Sequence, residues 1–254
     1  MPAYIPLLCL ALLHTLVDSS ALLMAPLWGD LRESFSLTES GLFVLFMAQA
    51  LSTSLSQAVF GFLRDRYSTR WILWAGPVVA AVLLSLIGVA PSATVLCVMV
   101  VVGGIGVGAF HPEAAVTAGR LIPTHRTRGL SLFMFGGALG LGLGPIVSGA
   151  VVSQFGLAGL AGLAPPLVLL VGLLVWAGRL GKTAAPAPPA GPPPGLLQML
   201  QGRAPLAVFI LLVCSLRLVP NMAMDKVLAF TLKGQGESPL VIGMVQSLFL
   251  FSAS

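Results

Sequence analysis

Of 254 residues, 57% are hydrophobic and only 8% are charged, against about 25% charged in soluble domains, so an ordinary water-soluble fold is excluded. The net charge of +5 sits in short loops between long apolar runs, which makes it a topology signal and argues against a nucleic-acid partner. Transmembrane β-barrels require period-two alternation in short strands, whereas these runs stay apolar for the roughly 20 residues that an α-helix needs to cross a bilayer.

The fold class read from this pattern is all-α, a polytopic helical membrane protein. The predicted spans are Tyr4 to Trp28, Ser40 to Phe62, Trp71 to Ala90, Ser92 to Leu121, Leu130 to Gln154, Leu157 to Arg179 and Pro205 to Leu232, with an eighth beginning near Ser238 and cut at Ser254. The first run lacks a basic leader and carries His14 and Asp18 in its middle, so it reads as a retained helix and not as a secretory signal.

Arg64, Arg66 and Arg70 follow span two, Arg120, Arg126 and Arg128 follow span four, and Arg179, Lys182 and Arg203 follow span six. Nine of the 13 basic residues therefore lie on one side. The opposite loops hold Arg32 and Lys233 with Asp30, Glu33, Glu39 and Glu237. Under the positive-inside rule the amino terminus and the basic loops are cytoplasmic, and the expected location is the inner (plasma) membrane.

Residues 181–204 break the pattern. Gly181 to Gly195 contains six prolines between Pro186 and Pro194 and favours an extended polyproline II spacer, with Leu196 to Gln201 as a candidate interfacial helix. The expected organisation is a six-helix bundle over 1–180, a cytoplasmic linker over 181–204, and the start of a second bundle over 205–254. Cys9, Cys97 and Cys214 fall inside spans without C-x-x-C spacing and read as packing residues.

Ionisable groups at bilayer depth cost at least about 2.5–3.5 kcal/mol on insertion scales and are functional candidates by default. His14 and Asp18 are four apart on one helical face. His111 and Glu113 flank Pro112 in span four, where the proline frees a backbone carbonyl that only protein or cavity water can satisfy. These four form the expected proton-coupling or substrate cavity, with a structural pair locking spans one and four as the alternative. Span seven adds Arg217, Asn221 and Asp225 at four-residue steps; the stripe, with Arg217 as cavity candidate, faces an anionic substrate, or else Arg217 and Asp225 are partners to other helices. Phe43, Phe46, Phe133 and Phe135 are candidates to line the cavity but read more simply as packing. A metal site from His14, Asp18, His111 and Glu113 is chemically conceivable, but no spacing demands one, and neither metal nor cofactor is expected.

Six helices, a linker and further helices is a layout that resembles the major facilitator superfamily. In the loop after span two, Gly61, Leu63, Asp65, Arg66 and Arg70 match that family's signature, while Ser68 stands where glycine is usual and Thr69 where a basic residue is common. The resemblance implies a cytoplasmic gate at Gly61, Asp65, Arg66 and Arg70; a solvated loop whose arginines only fix topology is the simpler alternative. In span five, Gly140, Gly144, Pro145 and Gly149 resemble the signature of proton-coupled exporters, with Ser131 and Ser148 replacing glycines of the full pattern. Glycines four apart allow close helix packing and rocking. HTLVDS (His14 to Ser19), AFHPEAA (Ala109 to Ala115), SLTESGLF (Ser36 to Phe43) and SLFLF (Ser247 to Phe251) are similar to the fosmidomycin resistance subfamily.

The function implied is proton-coupled export of a small molecule by alternating access, in a lipid bilayer, by a protein that is monomeric when full length and needs the remaining C-terminal helices. A half transporter that is inactive alone or depends on a partner is the second reading. An intramembrane enzyme using Ser19, Ser20 and the histidines is the third, and it lacks any serine-nucleophile motif.

Overall fold

The computed structural model describes residues 4–180 and 201–253, without the side chains at positions 217, 218 and 222. Among these residues, seven helices are long and apolar enough to cross a membrane and no strand occurs. Of the expected linker, residues 181–200 lie outside those described, as does most of the candidate interfacial helix.

The nine α-helices among the described residues are α1 (Tyr4–Ala21), α2 (Trp28–Ser34), α3 (Glu39–Arg64), α4 (Ile72–Ser85), α5 (Ala93–Leu121), α6 (Arg126–Phe155), α7 (Ala164–Gly178), α8 (Ala204–Gly234) and α9 (Pro239–Ala253). Span one is longer than expected. A 3-10 turn at Ala25–Leu27 joins α1 to α2, so the run reaches Ser34 and places Asp30, Arg32 and Glu33 on a helix and not in a loop. Pro26, which lacks an N–H to give to an α-helical bond, falls at this break. Span six likewise begins as a 3-10 segment, Leu157–Leu163, before α7.

Helix starts follow local chemistry. Thr38 caps α3 by accepting from the Gly41 amide at 3.1 Å, and Ser92 caps α5 by accepting from the Val95 amide at 3.3 Å. Gly156, at φ 67°, lets the chain leave α6 in a conformation that a side chain would resist.

Helix α1 sits centrally and packs against α4, α5, α6 and α7, while α3 lies on the far side of α5. Water does not drive helix association within lipid, so close backbone approach and interhelical hydrogen bonds must do it. The α1–α6 contact shows how. A Cβ on Gly140 would lie 2.6 Å from the Thr15 carbonyl oxygen, and one on Gly144 would lie 2.5 Å from that of Ser19. The hydroxyls of Thr15 and Ser19 donate back to the Gly136 and Gly140 carbonyls at 2.8 and 3.3 Å. Gly149 packs instead on the backbone of Pro239 at the start of α9. The glycines of span five therefore serve two neighbours, one before the linker and one after it.

Opposite the arginine-rich end, α2, α8 and α9 are tied together by polar contacts. Lys233 donates to Asp30 at 2.7 Å and lies 3.6 Å from Glu33, and Arg32 pairs with Glu39. Deeper in, Gln246 donates to the Ala25 carbonyl at 3.1 Å and to the Asp225 carboxylate at 2.8 Å. Lys226 bridges to the other Asp225 oxygen at 2.8 Å, with its ammonium 5.1 Å from the Trp28 ring centre and 5.7 Å from that of Phe46.

Candidate functional site: an imidazole–carboxylate cluster at a cavity wall

A cavity of about 670 Å³ opens between the helices, with apolar walls that include Phe133, Leu141 and Phe251 and a polar corner of His14, Asp18 and His111. His14 and Asp18 share a face of α1, and α5 brings His111 to them. The His14 Nε2 lies 3.2 Å from Asp18 Oδ2, and the His111 Nε2 lies 3.2 Å from Asp18 Oδ1. The carboxylate is thus held between two imidazoles, with 14% of the Asp18 side chain exposed toward the cavity.

The other nitrogen of each ring is also engaged. His14 Nδ1 lies 2.7 Å from the Phe133 carbonyl oxygen and His111 Nδ1 lies 2.8 Å from that of Val107. A carbonyl oxygen only accepts, so both Nδ1 atoms carry hydrogen and each neutral ring presents a bare Nε2 lone pair to Asp18. A neutral carboxyl group has one proton to donate and cannot satisfy both lone pairs. All four contacts become hydrogen bonds only when two protons are shared between Asp18 and the two Nε2 atoms, which leaves the cluster at +1. With one proton fewer the cluster is neutral and one lone pair faces a carboxyl oxygen without a hydrogen between them.

Packing fixes this geometry. The His14 ring stacks on Phe133 with centres 4.0 Å apart, and His111 meets it edge-on at 5.0 Å. Gly137 leaves the necessary space on α6, since a Cβ there would come within 2.5 Å of His14 Cε1 and 2.9 Å of Asp18 Oδ2.

Glu113 is not in this cluster. At about 100° per residue, two positions along α5 turn it roughly 200° from His111, and its Oε2 accepts from the Thr69 hydroxyl at 2.6 Å and lies 3.5 Å from Arg64 Nε. The grouping of all four candidates in one cavity therefore gives way to two sites: His14, Asp18 and His111 at the cavity, and Glu113 at the arginine-rich end. There, Asp65 is more than half exposed and contacts Arg64 at 3.2 Å, and Arg66 lies over the Phe62 ring at 3.4 Å. Gly61 faces Pro112 across the α3–α5 contact. The Arg70 Nη2 is buried without a hydrogen-bond partner among the described residues. The side chain of Arg217 lies outside those described, whereas Asp225, from the same stripe, is buried against Gln246 and Lys226.

Thr69 was a departure from a loop signature in the sequence, and its bond to Glu113 gives that departure a structural role. The Phe133 and Val107 carbonyls that orient the rings had no signal at all, because any residue supplies a carbonyl.

The arrangement defines a multi-pass helical membrane protein whose bundle surrounds a cavity with one ionisable corner. A profile of the Major Facilitator Superfamily matches residues 7–254; the chain belongs to that superfamily of secondary transporters, which are not enzymes. It is 28% identical over 147 residues to the fosmidomycin resistance protein of Escherichia coli (strain K12), covering 58% of this chain and 36% of that protein. It is also 28% identical over 186 residues to the uncharacterized MFS-type transporter YfnC of Bacillus subtilis (strain 168), covering 70% and 45%. The chain thus spans less than half the length of these relatives. A solved bacterial homologue of the human lysosomal transporter Spinster, inward-facing and unoccupied, superposes with a TM-score of 0.77 at 17% identity, over 98% of this chain and 60% of that one; this likeness concerns the fold.

Proposed function

We propose that this chain serves a proton-coupled transporter that exports a small molecule by alternating access, with the His14–Asp18–His111 cluster as the coupling centre. The observation that carries the reading is the Asp18 carboxylate, placed at the wall of the cavity between two imidazoles whose remaining nitrogens are tied to the backbone. In this reading the cluster takes up and releases the coupling proton, and the release removes a hydrogen bond beside the cavity. That gives substrate and proton a shared energetic term, as coupled transport requires.

Glu113 has a separate role in this reading. Together with Thr69 and Arg64 it holds the loop after span two against span four, and Asp65, Arg66 and Arg70 belong to the same gate region on the cytoplasmic face. The amino terminus is then cytoplasmic and the membrane is the inner (plasma) membrane. The Lys233–Asp30 and Gln246–Ala25 contacts form the closure at the opposite face. Export of a drug-like molecule is supported by the relative named for fosmidomycin resistance and by the apolar cavity walls.

The test is accumulation of candidate substrates in inverted membrane vesicles energised by an imposed proton gradient, using the protein that carries this chain. Uptake that collapses with the gradient and is absent in Asp18→Asn supports the reading; uptake indifferent to both removes it.

A further inference from the structure

Both imidazoles of the cavity cluster are oriented as metal-binding histidines are. Such a ring almost always gives one N–H to a carbonyl or carboxylate, which fixes its tautomer and aims the other nitrogen at the ion. Here the Phe133 and Val107 carbonyls take the two Nδ1 hydrogens at 2.7 and 2.8 Å. The two Nε2 atoms converge on Asp18, and one donor atom from each of the three residues lies within 4.8 Å of the others.

The spacing suits a small cation. Bonds of about 2.0–2.2 Å in a tetrahedral site set ligand atoms roughly 3.4 Å apart, and each Nε2 already lies 3.2 Å from an Asp18 oxygen, that of His14 from Oδ2 and that of His111 from Oδ1. With one carboxylate oxygen as donor, each of the other two edges must shorten by no more than about 1.4 Å to reach that tetrahedral spacing, since the three donor atoms lie within 4.8 Å of one another, and His111, at 20% side-chain exposure, borders the cavity. Gly137 brings no side chain into the space beside His14 and Asp18. Water or a polar group of a cavity occupant can fill a fourth position from the open side.

We propose that His14, Asp18 and His111 form a binding site for a divalent transition-metal cation, of the class of Zn²⁺ or Co²⁺. Two imidazoles and one carboxylate favour that class, whereas Mg²⁺ and Ca²⁺ take oxygen ligands. The inference shares residues with the transport reading but needs only the geometry of the site.

The purified protein in detergent is titrated with Co²⁺ alone, followed by visible absorption, and with Zn²⁺ alone by calorimetry. The expected result is one saturable site whose Co²⁺ spectrum has the intensity of four- or five-coordinate metal. His111→Gln and Asp18→Asn should each weaken binding by about 100-fold or more, since even outer-shell partners are worth 10–100-fold. His125→Gln, an exposed histidine outside the cluster, should leave it unchanged. If Asp18→Asn does not fold, His111→Gln alone decides, because its ring lies at the cavity surface. No saturable binding in the wild type, or binding that survives His111→Gln, overturns the proposal. Transport without metal binding would remove this inference and leave the coupling reading standing; metal binding without gradient-driven transport would do the reverse.

Discussion

The Thr69 hydroxyl donates to Glu113 Oε2 at 2.6 Å, joining the loop after span two to the arginine-rich end of span four across 44 positions of sequence. Both residues are buried, at 6% and 8% exposure, so the bond replaces water for a carboxylate in a low-dielectric setting. Thr69→Val keeps the shape and removes the donor. Hydrogen bonds to charged groups are worth about 1.5–3 kcal/mol, so unfolding of this variant in detergent should be easier by about that amount. Glu113→Gln should also lower stability while preserving gradient-driven transport in the fraction that folds, whereas Asp18→Asn should spare stability more than transport.

The glycine contact between spans one and five predicts a steep size dependence. Gly140→Ala forces a Cβ to 2.6 Å from the Thr15 carbonyl and should cost about 1–3 kcal/mol through overpacking. Gly162→Ala, where an added Cβ would meet no tertiary neighbour within 4 Å among the described residues, should be neutral or slightly favourable. Comparing the two by thermal unfolding in one detergent separates steric packing from glycine's backbone freedom.

The end that carries Lys233 and Asp30 offers a covalent test of alternating access. A Cβ built on Gly29 lies 3.4 Å from the Lys233 Cβ, close to the separation of about 3.5–4.5 Å found in disulfides. The pair Gly29→Cys with Lys233→Cys should cross-link on oxidation and stop transport, and reduction should restore it. Cross-linking that leaves transport intact would show that this end stays closed throughout the cycle.

The proposed orientation has its own check. Tyr67 is exposed in the loop beside Arg66, so Tyr67→Cys should react with a membrane-impermeant thiol reagent from the cytoplasmic side alone. Reaction from the outside in intact cells would reverse the topology.

Spans were legible in the sequence because membrane thickness and loop charge act locally on the chain. The break at Pro26 was not, since the apolar run continues through Leu27 and Trp28 and only the pairing of α2 with Lys233 shows where the helix goes. His14 and Asp18 could be paired by their spacing along one helix. Bringing His111 to them depends on the α1–α5 contact, which is tertiary, and the same contact turns Glu113 away to Thr69. Asp225 read equally as part of a cavity stripe or as a partner to another helix; which helix was hidden, because its partner Gln246 resembles any polar residue in an apolar run.

The most direct test of the central claim is proton movement on substrate addition. The protein that carries this chain is reconstituted in proteoliposomes with a pH-sensitive dye in the lumen, first at equal pH on both sides, and a transported compound is added. The account predicts a pH change across the membrane of opposite direction to substrate flux, present in the wild type and in Glu113→Gln and absent in Asp18→Asn. Substrate flux with no accompanying proton movement, or proton movement that survives Asp18→Asn, would contradict it.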